Sequence, residues 1–238
     1  MAATYLDKIL DRHREMAAAD TRPIDRLIDE ATAMPAARGF RSALADTAKL
    51  GVVAEIKRRS PSKGDLNIGL DVAEWAKLYE AGGASCLSVL TDVDSFGGSV
   101  ADLQGARDAC ALPVIRKDFT VSERDVLDAR LMGADCVLLI AAALDSAELA
   151  GFHALATQIG LDVLVEIHDE AELEHALEAK ATLVGVNQRD LVTFEVDHKR
   201  AIRMGGVIPD HAIKVAESGV RGADDAREPV VAYNASKG

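Results

Sequence analysis

From residue 51 onward, short apolar runs alternate with stretches whose apolar positions return every three or four residues. A short run bounded by turn residues reads as a strand, and the longer period reads as a helix. The runs predict strands over residues 51–57, 84–90, 113–117, 134–140, 161–167, 182–187 and 212–217. Between them the pattern predicts helices, for example over residues 71–81, 122–132, 146–159 and 169–178. Asp71 and Ser122 are good N-caps, and Gly82, Gly133 and Gly160 are good stops. Runs such as VLLI at residues 137–140 are apolar on both faces, as in a parallel sheet covered by helices.

Strict alternation of strand and helix points to the α/β class. A doubly wound sheet would concentrate function at one switch point, whereas a closed barrel brings many strand ends to one mouth. Here polar residues gather at the C-terminal ends of many strands, which favours a (βα)8 TIM barrel. Residues 5–19 and 23–34 read as two extra helices that cap a barrel end or border its site. The expected division is a helical extension over residues 1–50, a barrel over 51–228 and an atypical tail over 229–238.

Composition narrows the partners. The 238 residues suit one barrel, and 49% apolar with 28% charged residues suits an ordinary soluble protein. A net charge of −12 argues against nucleic acid, whose phosphates need clustered cations. With no long apolar stretch and no secretory layout at the N-terminus, no membrane contact and a cytoplasmic location are expected. Cys86, Cys110 and Cys136 lack CxxC spacing and read as buried thiols. The histidines lack metal-ligand spacing, so no metal is expected.

The chemistry lies at the strand ends. Side chains alternate across a strand, so Glu55 and Lys57 share a face at the end of the first. Lys117 ends the third, Glu166 the fifth, Asn187 the sixth and Glu217 the seventh. Lysines and glutamates converging in one cavity would shift each other's pKa values, as acid–base work requires. Residues 58–64, RRSPSKG, reverse the acidic character locally and suggest an anionic ligand such as phosphate or carboxylate. Ser218-Gly219 stands where a barrel commonly offers backbone N–H groups to phosphate.

The motifs AEIKRRSPSKG (54–64), SVLTD-x3-FGGS (88–99), PVIRKDF (113–119), LVEIH (164–168), GVNQRDL (185–191) and AESG (216–219) closely resemble the indole-3-glycerol-phosphate synthase family. That family closes the indole ring of 1-(2-carboxyphenylamino)-1-deoxyribulose 5-phosphate with loss of CO2 and water. The resemblance implies Lys117 as general acid on the ribulose carbonyl, with Glu166 and Lys57 sharing acid and base roles in dehydration. It implies that Glu55 orients Lys57, that Asn187 bonds a substrate hydroxyl, and that Ser60 lines the site. Phe96, Arg189, Leu191, Glu217, Ser218 and Gly219 complete the implied substrate pocket, the last two near phosphate. The implied partner is a small phosphosugar, and no cofactor is called for.

After residue 219 the sequence departs from the family pattern, because Pro229 interrupts helix seven and no glycine-rich turn of an eighth strand follows. The expectation is a barrel truncated after strand seven, with strand edges one and seven needing cover. A monomer or a weak homodimer is expected. Two other barrels compete, phosphoribosylanthranilate isomerase and a Schiff-base aldolase, and Lys117 within RKDF favours the synthase over the isomerase. A catalytically incomplete remnant is the alternative from another class.

Overall fold

A computed structural model describes residues 4–45, 50–220 and 222. Its sheet strands are β1 (Val53–Ile56), β2 (Cys86–Leu90), β3 (Val114–Lys117), β4 (Cys136–Ile140), β5 (Asp162–Ile167), β6 (Leu183–Asn187) and β7 (Ile213–Glu217). All pair in parallel and in sequential order, forming a seven-stranded sheet. No strand order reverses, which removes the doubly wound alternative. In a flat sheet β3 and β7 would stand about 19 Å apart, four strand spacings. Instead Lys117 Nζ of β3 lies 3.0 Å from Glu217 Oε2 of β7, so the sheet is curled until its far strands face each other.

The helices are α1 (Tyr5–Ala19), α2 (Ile24–Ala33), α3 (Phe40–Ala45), α4 (Val72–Ala81), α5 (Val93–Phe96), α6 (Val100–Ala109), α7 (Glu123–Leu131), α8 (Ser146–Gln158), α9 (Glu170–Glu178) and α10 (Arg200–Gly205). The caps read from sequence do their work: Asp71 accepts from the Glu74 N–H and Ser122 from the Asp125 N–H. One stop moves. Gly82 still has right-handed backbone, and the turn out of α4 falls on Gly83, whose φ is +84°. Glycine takes that conformation without a Cβ clash.

Period two along each strand sorts the side chains into two cores. Ala54, Leu87, Val89, Val114, Val137, Leu139, Val163, Val165 and Val186 face outward into the layer shared with α2, α4, α6, α7, α8 and α9. Cys86, Ile115, Cys136, Leu138, Leu164 and Leu183 face inward around the fully buried Phe40. Phe40 enters from α3, and its backbone neighbours tie down that end: the Arg38 N–H donates to Asp135 Oδ1 and the Arg41 N–H to Asp162 Oδ2. Full burial of such an apolar side chain contributes about 1.5–3 kcal/mol. The floor of the curled sheet is therefore a packed apolar plug, and its opposite end is left for polar groups.

The sequence reading anticipated neither α3 nor α5, while α6 and α10 fall where the alternation of strand and helix calls for a helix, though no bounds were read for them. Residues 58–64, read as a loop, form a small antiparallel hairpin in which Arg59–Ser60 pairs with Gly64–Asp65. The tail over residues 229–238 lies outside the described residues, as do the helix expected after β7 and any eighth strand.

Candidate active site

Above the apolar plug opens a cavity of about 920 Å3 that also runs between the β1 and β7 edges, past Leu50, Val52 and Ile213. Every site residue named from the sequence lines it: Glu55, Lys57, Ser60, Phe96, Lys117, Glu166, Asn187, Arg189, Leu191, Glu217, Ser218 and Gly219. The strand-borne ones arrive together because every sheet strand except the wholly apolar β4 carries a polar side chain on its inner face above the apolar layer.

Lys117 is the hub. Its Nζ donates to Glu166 Oε2 at 2.7 Å and to Glu217 Oε2 at 3.0 Å. Burial works against its ammonium, but the charges of Glu166 and Glu217 outweigh that cost and raise its pKa. Lys117 is therefore a charged donor at neutral pH. Glu166 is almost fully buried, and its second oxygen accepts from Asn187 Nδ2 at 2.9 Å. Burial alone would push its pKa up; the charges of Lys117 and His168 and the bonds from Lys117 and Asn187 bring it below the ordinary value. Glu217 goes the other way. Burial dominates and, despite Lys117, its pKa is pushed up to about 7. Glu217 Oε1 has no hydrogen-bond partner among the described residues. Two carboxylates on one lysine are thus driven apart in proton affinity, which is how acid and base roles are divided at one pH.

Across the cavity Lys57 pairs with Glu55. The amide of Asn187 is itself set, since its Oδ1 accepts from the Arg189 N–H at 3.0 Å. The Arg189 guanidinium is tied to the Phe194 carbonyl at 2.8 Å, and Phe194 meets Tyr5 of α1 edge to face at 5.9 Å. Leu6 and Ile9 of α1 also line the cavity, so the first helix borders the mouth. Ser218 and Gly219 both hold left-handed backbone, with φ of 65° and 75°. A Cβ at Gly219 would come within 2.6 Å of Val196 Cγ1, so the turn closes too tightly for any other residue.

Two of the cations of residues 58–64 have partners within the protein. Arg58 is taken by Asp102 and by the carbonyls of Ile68 and Leu70, and Arg59 by Asp65. Their charge is answered by other side chains and carbonyls of the protein, which leaves Ser60, Ser62 and Lys63 as the residues of that hairpin facing the cavity with polar groups.

One family model, Indole-3-glycerol phosphate synthase, matches residues 6–235 of the chain, which include these motifs. The chain belongs to that family. Among solved structures, the YdjI aldolase from Escherichia coli K12 is 13% identical, with a TM-score of 0.52 over 90% of this chain and 77% of that one. Methylornithine synthase (PylB) is 12% identical, with a TM-score of 0.57 over 94% of this chain and 80% of that one. At such identities the likeness shows the fold alone, a curled parallel α/β sheet of the TIM-barrel kind. The synthase family acts in tryptophan biosynthesis as a lyase. Among the described residues no helix is long and apolar enough to cross a membrane.

Several residues in the cavity of this family member, or beside it as His168 is, were not singled out from sequence. Phe119 follows Lys117 by two positions and stands 6.3 Å from Phe96, ring to ring. His168 follows Glu166 by two, and Ser88 lies on the inner face of β2 with its hydroxyl unpartnered among the described residues. Period two was the signal for all three. Gly185 is subtler: a Cβ there would lie 1.9 Å from Glu217 Oε1, so this inner-face glycine makes room for the carboxylate.

His13, Asp92 and Asp118 bring potential metal-ligand atoms within 4.8 Å of one another. Arg12 already pairs with Asp92, and Arg116 Nη2 lies 3.2 Å from Asp118 Oδ2. The trio is an ion-pair knot that fastens α1 to the loops after β2 and β3.

Proposed function

We propose that this chain converts 1-(2-carboxyphenylamino)-1-deoxyribulose 5-phosphate into indole-3-glycerol phosphate, CO2 and water, as a carbon–carbon lyase. The observation that carries the reading is Lys117, a half-buried ammonium held by Glu166 and Glu217 in a cavity with an apolar floor.

In this reading Lys117 gives a proton to the ribulose carbonyl oxygen as the ring carbon bearing the carboxylate attacks the carbonyl carbon. Loss of CO2 returns the bonding pair to the ring and restores its aromaticity. Dehydration then needs an acid for the departing hydroxyl and a base for the proton on the adjacent carbon. Lys57, paired with Glu55, is the acid, and Glu166, held ionised by its neighbours, is the base. Glu217, titrating near 7, can return a proton to Lys117 between steps. Asn187 holds Glu166 and a substrate hydroxyl. Phe96 and Phe119 flank the anthranilate ring; Ser60, Arg189 and Leu191 line the mouth; and Ser218 and Gly219 stand nearest the phosphate. Redox or electron-sink chemistry is not required, so the route calls for no cofactor. A phosphorylated intermediate of biosynthesis as substrate fits a cytoplasmic enzyme working as a monomer or a weak homodimer, without nucleic acid or membrane.

The test is indole fluorescence on mixing the chain with the carboxyphenylamino substrate, with Lys117→Ala as control. Turnover in the wild type that disappears in the control supports the reading. A folded wild type that makes no indole product, or a Lys117→Ala variant of undiminished rate, overturns it.

A further inference from the structure

His168 stands just past the end of β5, two residues after Glu166 and on the same face. Its backbone N–H donates to Glu172 Oε2 at 2.7 Å, and its Nδ1 lies 3.0 Å from the same oxygen. An ionised carboxylate can only accept, so Nδ1 carries a hydrogen. The other ring nitrogen, Nε2, is buried, has no hydrogen-bond partner among the described residues, and sits 3.9 Å from Glu166 Oε1. A neutral ring would leave there a lone pair with no donor; a protonated ring points an N–H at the carboxylate.

We infer that His168, braced by Glu172, is a positioning residue that holds a second positive charge against Glu166. The inference rests on the function proposed above. When Lys117 delivers its proton to substrate it becomes neutral, and Glu166 loses the cation 2.7 Å away. A second cation on its other oxygen keeps the carboxylate ionised and aimed through the remaining steps. The groups facing the imidazole are Glu166 from β5, Glu172 from α9 and Arg200 from α10, with Lys117 and Glu217 beyond Glu166. Burial lowers the pKa of His168, but the bond to Glu172 and the charges of both glutamates outweigh it and Arg200, and the pKa is raised.

Two measurements test this, one of them independent of turnover. In 15N NMR titration of the full chain, the His168 ring is expected to titrate above its ordinary value and to shift downward in Glu172→Gln and in Glu166→Gln. A ring that titrates at or below its ordinary value, or that ignores Glu166→Gln, overturns the inference even if the wild type turns over no substrate. In the kinetic arm, His168→Asn keeps a donor toward Glu172 without the charge. The acid limb of kcat is expected to rise by about one unit while KM changes little, as follows from losing a cation near a carboxylate. A wild-type profile in His168→Asn would mark the residue as a spacer and sink the idea. A wild type without activity but with the expected titration would count against the proposed function alone.

Discussion

At the N-terminal ends of the strands, Asp135 accepts from the N–H groups of Arg38 and Val114 and pairs with Arg107, which satisfies both oxygens in a fully buried setting. At the C-terminal ends, Glu217 has one oxygen on Lys117 and the other without a partner among the described residues. Asp135 is fully buried and Glu217 mostly so, yet only the upper one is left incomplete. A saturated buried charge fastens the structure, whereas an unsaturated one is costly unless something else completes it. The lower end of the curled sheet is therefore built for stability and the upper end for a ligand.

The sharpest way to break that contrast is to exchange its effects. Lys117→Met at the mouth is expected to lower kcat by about 10²–10⁴-fold, the usual contribution of a general acid. Stopped-flow indole fluorescence checks this. Phe40→Ala at the floor should destabilise by about 3–5 kcal/mol in urea unfolding, while kcat of the folded fraction stays near wild type. Comparable stability losses from both substitutions would dissolve the distinction.

Gly185→Ala probes the border between the two ends, because the new methyl must displace the flexible end of Glu217. The cost in stability should stay within about 1–3 kcal/mol. The pH profile of activity should lose the ionisation near 7 that belongs to Glu217.

A smaller effect sharpens the comparison through pH. The folded pKa of Glu217 is raised from 4.5 to about 7, so between those values the folded state binds more protons than the unfolded one. Stability from this group is therefore lost as pH rises through that window. Glu166 has the opposite sign, since its pKa is lowered, and its contribution is lost as pH falls below the ordinary carboxyl range. Urea unfolding between pH 5 and 8 should show Glu217→Gln flattening the decline; an unchanged slope would mean that Glu217 is ionised throughout. The smallest effect belongs to the outer hairpin, where Arg59→Ala breaks an exposed pair with Asp65 and should shift stability by less than about 1 kcal/mol.

The strands and the long helices were legible because their periods are local properties of the chain, and so were the strand-end lysines and glutamates. The short helices α3 and α5 were not, since their formation depends on what they pack against. Phe40 gives no sign in sequence that it plugs the sheet, and Gly185 gives none that it vacates space for Glu217. In residues 58–64 local charge density shows a cluster of cations without showing that Asp102 and Asp65 pair with two of them.

By itself, the sequence determined the alternation of strands and helices, the face of each strand-end side chain and the family. The tertiary structure decided which charges meet. Lys117 and Glu217 are 100 residues apart in sequence, and their approach to 3.0 Å exists only because the sheet curls. That curl also buries Glu217 beside Glu166 and moves its pKa to about 7. Pairing and burial are properties of distance and dielectric, which a linear pattern of residues does not contain.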